Sequence, residues 1–372
     1  MLRSLFWVKL GSWEPSEVFS LLSVLRDAEG EGIVVPITST AMKRKKVPVA
    51  FIIVIFWGGN SIVFACKTKK KFQSLQHIGI FFLSLRTITE KQTDTIMNNQ
   101  TEIPQENTLQ ALKDAAVKMA LHCGKIQMTS FRTSNIGIDT KSNVYDVVTK
   151  VDKACEDYLL TEIARLYPTH SVIGEETGQH LHADSEWAWV VDPLDGTNSY
   201  SQGLPVFCVS IGITYRGECV VGVVYAPYLD ELYTAVKGKG AWYGKAGSMD
   251  SHTRLHVSAK ESLKECVVAS GFPYDKATHP VNNIREASIV IPQVRGFRRM
   301  GSAAYDLCCT AMGTIDAYWE FNLNLWDVCA GQLIVREAGG TVTPLCENRK
   351  ISIIAGPEKL VKELQGELRG KK

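Results

Sequence analysis

No two of the ten cysteines are spaced C-x-x-C, and none of the eight histidines stands at a ligand spacing or in a triad-like setting. A zinc site, a disulfide-stapled scaffold and serine or cysteine hydrolase chemistry therefore find no support. Cys308 and Cys309 would face different sides of a helix, so buried free thiols in a reducing compartment are the expectation. The chain also lacks a strong charge of either sign. Its formal net charge of +2 gives no general pull towards nucleic acid. Acidic residues are missing altogether from 33–89, and residues 1–95 carry 13 Lys and Arg against 7 Asp and Glu. The remainder is mildly acidic.

An unbroken apolar run is absent too. Residues 47–66 are uncharged and about long enough to cross a bilayer, which needs roughly 20 apolar residues. However, Gly58-Gly59-Asn60-Ser61 interrupts them, and basic clusters at 43–46 and 67–71 flank them on both sides. A second apolar run, 78–85, is too short to span. Three readings of residues 1–95 stay open: a membrane anchor, a targeting leader, or an upstream extension with the start at Met97. Membrane contact is expected only under the first. The cytoplasm is the expected location, with organelle targeting or anchoring through 47–66 as the alternative.

What is present begins beyond a polar stretch, 91–107. The expected division is an extension over 1–95, a linker over 96–105 and a catalytic domain over 106–372. Leu109, Leu112, Ala116, Met119 and Ala120 recur at helical spacing. Further helices are expected over 152–166, 302–312, 327–337 and 358–368. Strands are expected over 171–174, 187–191, 206–215, 219–225 and 231–236, with Arg216-Gly217 as a turn. Elements of both kinds in mixed order, without a repeat, imply a layered α/β architecture.

Three segments place carboxylates where burial makes them costly. Gly174-Glu175-Glu176 follows the apolar Ser171-Val172-Ile173. Asp192-Pro193-Leu194-Asp195-Gly196-Thr197 follows Trp187-Ala188-Trp189-Val190-Val191. Trp326-Asp327 opens a helix. A Pro-Leu turn would let Asp192 and Asp195 face one ion pair, and hard divalent cations take such oxygen ligands. Helix starts at 195–197, 301–303 and 326–327 could each present N–H groups to a phosphate. Any one segment alone is as well read as a helix cap or a solvated loop.

Together and in this order they resemble the inositol monophosphatase family of magnesium-dependent, lithium-sensitive phosphatases. Asp192–Thr197 matches the family's central acidic motif and Trp326–Gly331 its C-terminal signature. The resemblance spans nearly all of 106–368 and none of 1–95. It implies an αβαβα sandwich of the inositol monophosphatase and fructose-1,6-bisphosphatase type, assembled as a homodimer. It also implies that Glu175, Asp192 and the Leu194 carbonyl hold one Mg2+, and that Asp192, Asp195 and Asp327 hold a second. Thr197 and Asp152 would activate the attacking water, so no phospho-enzyme is expected. Asp152 belongs to Asp146-Val147-Val148-Thr149-Lys150-Val151-Asp152, which is similar to the family's upstream motif. Lys141 would lie near the phosphate and a third, weak Mg2+, and Glu176 would support Thr197 or stand behind the ligands. Asp195, Gly196, Thr197, Ala303, Glu320 and Asp327 would contact substrate. Glu320 would accept hydrogen bonds from polyol hydroxyls, so inositol monophosphate leads as substrate, with nucleic acid not expected as a partner. Asn198-Ser199-Tyr200 and Asn324 depart from many relatives and bear on substrate identity alone. The rivals are a neighbouring activity on the same fold (fructose-1,6-bisphosphatase, sugar-1-phosphatase or histidinol phosphatase) and a non-catalytic binding module.

Overall fold

The computed structural model describes residues 104–369, apart from 135, 142, 144, 183, 247–251 and 348. It also describes the backbone of four strands before residue 68. The chain divides into two compact units, Met1–Gln100 and Thr101–Lys372.

In the first unit β1 (Val8–Leu10), β2 (Val34–Ser39), β3 (Ala50–Trp57) and β4 (Asn60–Lys67) form one sheet in that order. β3 and β4 pair antiparallel with Trp57 opposite Asn60. The stretch 47–66, read above as a candidate span, thus holds two paired strands separated by Gly58-Gly59. A Gly-Gly dipeptide between β-branched runs favours a tight hairpin over a continuous helix. No helix among the described residues is long and apolar enough to cross a membrane. The run 78–85 lies outside the described residues.

The second unit is layered. Its elements are α1 (Glu106–Ser130), β5 (Asp139–Thr140), β6 (Val147–Val148), α2 (Lys150–Leu166), β7 (Ser171–Gly174), β8 (Gly178–Leu181), β9 (Trp187–Asp195), α3 (Thr197–Ser201), β10 (Cys208–Tyr215), β11 (Glu218–Ala226), β12 (Glu231–Val236), β13 (Gly240–Gly244) and β14 (Thr253–Arg254). Then follow β15 (Val267–Ser270), α4 (Ile284–Val290), β16 (Gly296–Arg298), α5 (Ala303–Met312), β17 (Ala317–Leu323), α6 (Leu325–Glu337), β18 (Thr341–Pro344), β19 (Ile351–Gly356) and α7 (Glu358–Arg369). One sheet has eight strands in the order β14-β13-β12-β11-β10-β9-β7-β8, and a second has five in the order β16-β15-β17-β19-β18.

Helices α1 and α2 cover one face of the large sheet, α5 and α6 fill the space between the two sheets, and α4 and α7 cover the far face of the small one. That is the expected αβαβα sandwich. Three apolar cores follow from it. Leu112, Leu159 and Ile211 belong to the first, Leu307, Val328 and Tyr318 to the second, and Trp319, Leu360 and Leu364 to the third. The helical spacing seen in the sequence is the buried stripe of α1, Leu109, Leu112, Ala116, Met119 and Ala120. The Arg216-Gly217 turn also forms, with φ of 50° and 80°, as a two-residue hairpin requires. Nine cysteines among the described residues are free thiols, seven of them buried.

One local expectation fails. Asp192 and Asp195 are not joined by a turn, because β9 continues through Asp195. Opposite them Asp195 pairs with Cys208 but Asp192 pairs with Ser210, so β9 carries one residue more than β10. In a regular strand, residues three apart face opposite sides. The extra residue is a β-bulge, and bulges re-aim side chains in this way. The bulge therefore takes over the role expected of the turn.

Candidate active site

All the predicted site residues except Asp152 and Glu176 line one cleft of about 400 Å³: Lys141, Glu175, Asp192, Leu194, Asp195, Gly196, Thr197, Ala303, Glu320 and Asp327. Small-molecule sites span about 300–1,000 Å³. Asp152, fully buried on α2, sits behind the wall and accepts a hydrogen bond from Thr197 Oγ1 at 2.9 Å. The same hydroxyl lies 2.9 Å from the Leu194 carbonyl, and its single proton can serve only one of these acceptors at a time. Asp152 also accepts from the N–H and hydroxyl of Thr149, which makes it one half of the capping box of α2. Burial raises its carboxyl above the ordinary range against those three hydrogen bonds.

Each of the four carboxylates leaves its backbone element by a different route. Glu175 follows β7 and ion-pairs with Lys141 at 2.7 Å; Lys141 also reaches Glu176 at 2.5 Å. Asp192 accepts from its own strand, the Leu194 N–H at the β9 bulge, at 3.0 Å. Asp195 accepts through one oxygen from both the Ser302 hydroxyl and the Ala304 N–H, each at 2.7 Å. Asp327 is the third residue of α6 and accepts from the Asn324 N–H at 2.6 Å. The sequence places that helix start at Asp327, whereas it begins at Leu325 with Asn324 as its cap.

Electrostatics press on this group. Burial, and then the charges of Glu175, Asp195 and Asp327, push the Asp192 carboxyl well above its ordinary value. Burial with the Glu175 and Asp195 charges does the same to Asp327. Burial lifts Asp195 to about 6 and Glu176 to about 7. Desolvation pulls Lys141 down, but the Glu175 and Glu176 charges outweigh it and hold its ammonium above the usual lysine range. Among the described residues no three His, Cys, Asp or Glu side chains are gathered into a ready metal cage. Each carboxylate spends one oxygen on a protein donor instead. Even so, an all-oxygen donor set that destabilises its own charge suits a hard divalent cation.

A further part of the cleft lining is built on β17. Glu320 is lifted to about 7 by burial, against the Tyr318 hydroxyl, which donates to it at 2.6 Å, and the nearby Arg299 charge. Gly271 makes room for that carboxyl, since a Cβ there would lie 2.1 Å from both Glu320 oxygens. Phe272, Pro273, Tyr274 and Asp275 continue the wall, and Asp275 is clamped by both terminal nitrogens of the buried Arg349 at 2.8 and 3.0 Å. At Gly196 φ is 95° and a Cβ would approach the Val206 carbonyl to 2.8 Å, so the turn into α3 needs glycine.

A family model described as the inositol monophosphatase family matches residues 108–369. The chain belongs to the inositol monophosphatase family. It is 38% identical over 258 residues to "Nus factor SuhB" of Haemophilus influenzae, which covers 68% of this chain and 94% of that one. It is 35% identical over 259 residues to "Inositol-1-monophosphatase" of Mesorhizobium japonicum, with 68% and 94% covered. Among solved structures, inositol monophosphatase from Anabaena sp. PCC 7120 superposes with a TM-score of 0.61 at 34% identity, covering 70% of this chain and 96% of that one. The extragenic suppressor protein suhB of Bartonella henselae gives 0.64 at 35% identity, with 70% and 100% covered.

Two residues that sequence reasoning missed help to build this family site. Ser302 caps α5 through the Tyr305 N–H at 3.3 Å while donating to Asp195. Glu156, one turn after Asp152, is 1% exposed and holds the turn that follows Glu175. A carboxylate inside the apolar stripe of an amphipathic helix was the available signal for Glu156. Ser302 gave none beyond a common cap.

Proposed function

We propose that the chain hydrolyses a small phosphorylated polyol, with inositol monophosphate as the leading substrate and Mg2+ as cofactor. The observation that carries this is the bulge in β9, which turns Asp192 and Asp195 into the cleft that Glu175 and Asp327 also line. Glu175, Asp192, Asp195, Asp327 and the Leu194 carbonyl would hold the cations. Bound Mg2+ supplies Lewis-acid stabilisation of the attacking and departing oxygens of an in-line displacement. Thr197, by donating its proton to Asp152, keeps its own lone pairs free to accept a proton of the attacking water. Lys141 brings positive charge to the phosphate side and pairs with Glu175 and Glu176 in the meantime. Glu320 offers an acceptor to polyol hydroxyls from the β17 side of the cleft. Assembly as a homodimer belongs to the same proposal and is read by light scattering.

Glu320→Gln is expected to raise KM for inositol 1-phosphate by roughly tenfold, the value of one hydrogen bond to a charged group. The kcat for a simple aryl phosphate should stay within twofold, because that substrate carries no polyol. Equal losses on both substrates would remove Glu320 from substrate recognition.

Several relatives named Nus factor keep a second reading in view, a binding module on the same fold. Retention of all four carboxylates favours hydrolysis. The test is phosphate release by the full chain from inositol 1-phosphate, fructose 1,6-bisphosphate, histidinol phosphate and phosphoadenosine phosphate, with and without Mg2+. Mg2+-dependent release fastest from inositol 1-phosphate is expected. Release from none would favour the binding module.

A further inference from the structure

Helix α2 carries two buried carboxylates one turn apart, in a stripe otherwise made of Val151, Cys155, Leu159 and Ile163. The first, Asp152, meets Thr197. The second, Glu156, has no part in the reaction described above, and among the described residues no cation pairs with it. A buried carboxylate without a counter-charge is costly and persists only where neutral donors satisfy it. Here those donors come from a single turn. One oxygen accepts the Glu176 N–H at 2.9 Å and the other accepts the Thr177 hydroxyl in a short hydrogen bond. The carboxylate also presses on the residue before that turn, since a Cβ at Gly174 would lie 2.6 Å from its Oε1. The chain from 174 to 177 is therefore wrapped around Glu156, and Glu175 lies within that wrap.

We propose that Glu156 is the positioning residue of the metal-binding turn: by fixing the Glu176 N–H and the Thr177 hydroxyl it sets the direction in which Glu175 presents its carboxylate. The inference rests on the metal-dependent reading of the cleft. Ligating carboxylates depend on such partners, and losing one typically costs about 10–100-fold in metal affinity. Glu156 and Asp152 then act as a pair, so that one helix face locates both the water-activating threonine and a metal carboxylate. What Glu156 contributes is acceptor geometry. A glutamine can keep it, with its amide oxygen on the Glu176 N–H and its amide N–H on the Thr177 oxygen, whereas a leucine of similar size cannot.

The experiment measures Mn2+ affinity by the electron paramagnetic resonance of free Mn2+, so that no turnover is required, with circular dichroism and thermal melts in parallel. In the full chain Glu156→Leu is expected to weaken Mn2+ binding by roughly tenfold or more, the range for loss of an outer partner. Glu156→Gln should stay within about threefold of the parent and Thr177→Val should fall between the two. Parent-like Mn2+ affinity in a folded Glu156→Leu chain overturns the proposal. If Glu156→Leu does not fold, Thr177→Val decides, since Thr177 is exposed and the nearly isosteric valine opens no cavity. Parent-like affinity there overturns the proposal equally. A parent chain that binds no Mn2+ overturns the metal-dependent reading itself, a result distinct from an unaffected variant of a parent that does bind.

Discussion

Asp195→Asn is expected to lower kcat/KM on the best phosphate monoester by about a thousandfold or more, some 4 kcal/mol of transition-state stabilisation. The folded state should hardly notice. The two closest donors, the Ser302 hydroxyl and the Ala304 N–H, use the same Asp195 oxygen, which the Cys208 thiol also approaches at 3.9 Å. An asparagine can turn its carbonyl oxygen to that place and satisfy both. What changes is the other oxygen, where an acceptor with negative charge becomes a neutral N–H donor that repels a cation. Because burial already holds the Asp195 carboxyl up at about 6, removing the charge relieves the metal-free fold. Melting of the variant in chelator should match or exceed the parent. A domain of this size moves about 2–4 °C per kcal/mol, so the comparison resolves even a modest relief. Turnover within tenfold of the parent would remove Asp195 from the metal site. A large drop in melting temperature alongside the lost turnover would make the aspartate structural instead.

The sequence showed where the carboxylates leave the sheet but not how they converge. Glu175 was legible because it follows a short apolar strand, and Asp192 because it follows a longer one. Local rules read Pro193-Leu194 between two aspartates as a turn. The bulge that stands in its place depends on the register with β10, which no local pattern encodes. Glu320 was legible only through the family resemblance. Its burial depends on Gly271 leaving space, a contact between residues nearly fifty positions apart. The uncharged stretch 47–66 shows a related limit. Continuous apolar residues suit a bilayer span and a pair of strands alike, and Gly58-Gly59 is what separates the two readings. The layer order of the sandwich likewise came from the resemblance, since helix and strand lengths alone do not say which sheet α5 and α6 will join.

The metal-free chain should become more stable as pH falls from about 8 to about 5.5, the reverse of ordinary acid denaturation. Three carboxyls carry the sign. Burial places Glu176 and Glu320 at about 7 and Asp195 at about 6, against ordinary values of 4.5 and 3.8. In each case the folded state binds a proton at a pH where the unfolded chain has already released it. Stability therefore falls as pH rises through this window and returns as pH drops through the folded-state values. An acid held two pH units high costs the fold about 3 kcal/mol once ionised. The three lie in or beside one cleft, so their penalties overlap rather than add. His170 opposes the trend, because burial lowers its value and charging it costs stability as the pH falls. It is one group against these three and the likewise raised Asp152, Asp192 and Asp327, and Trp189 donates to its Nδ1 at 3.0 Å, which keeps the neutral ring favoured. Saturating Mg2+ should flatten the slope, because at Asp195 a cation and a proton compete for the same oxygens and only the ionised carboxylate binds metal. The stabilisation by Mg2+ should thus grow from pH 6 to pH 8. Thermal melts in chelator and in Mg2+ across that range decide it. A chelated chain that loses stability between pH 8 and pH 6 would mean that these carboxyls are not held apart from water as the cleft implies.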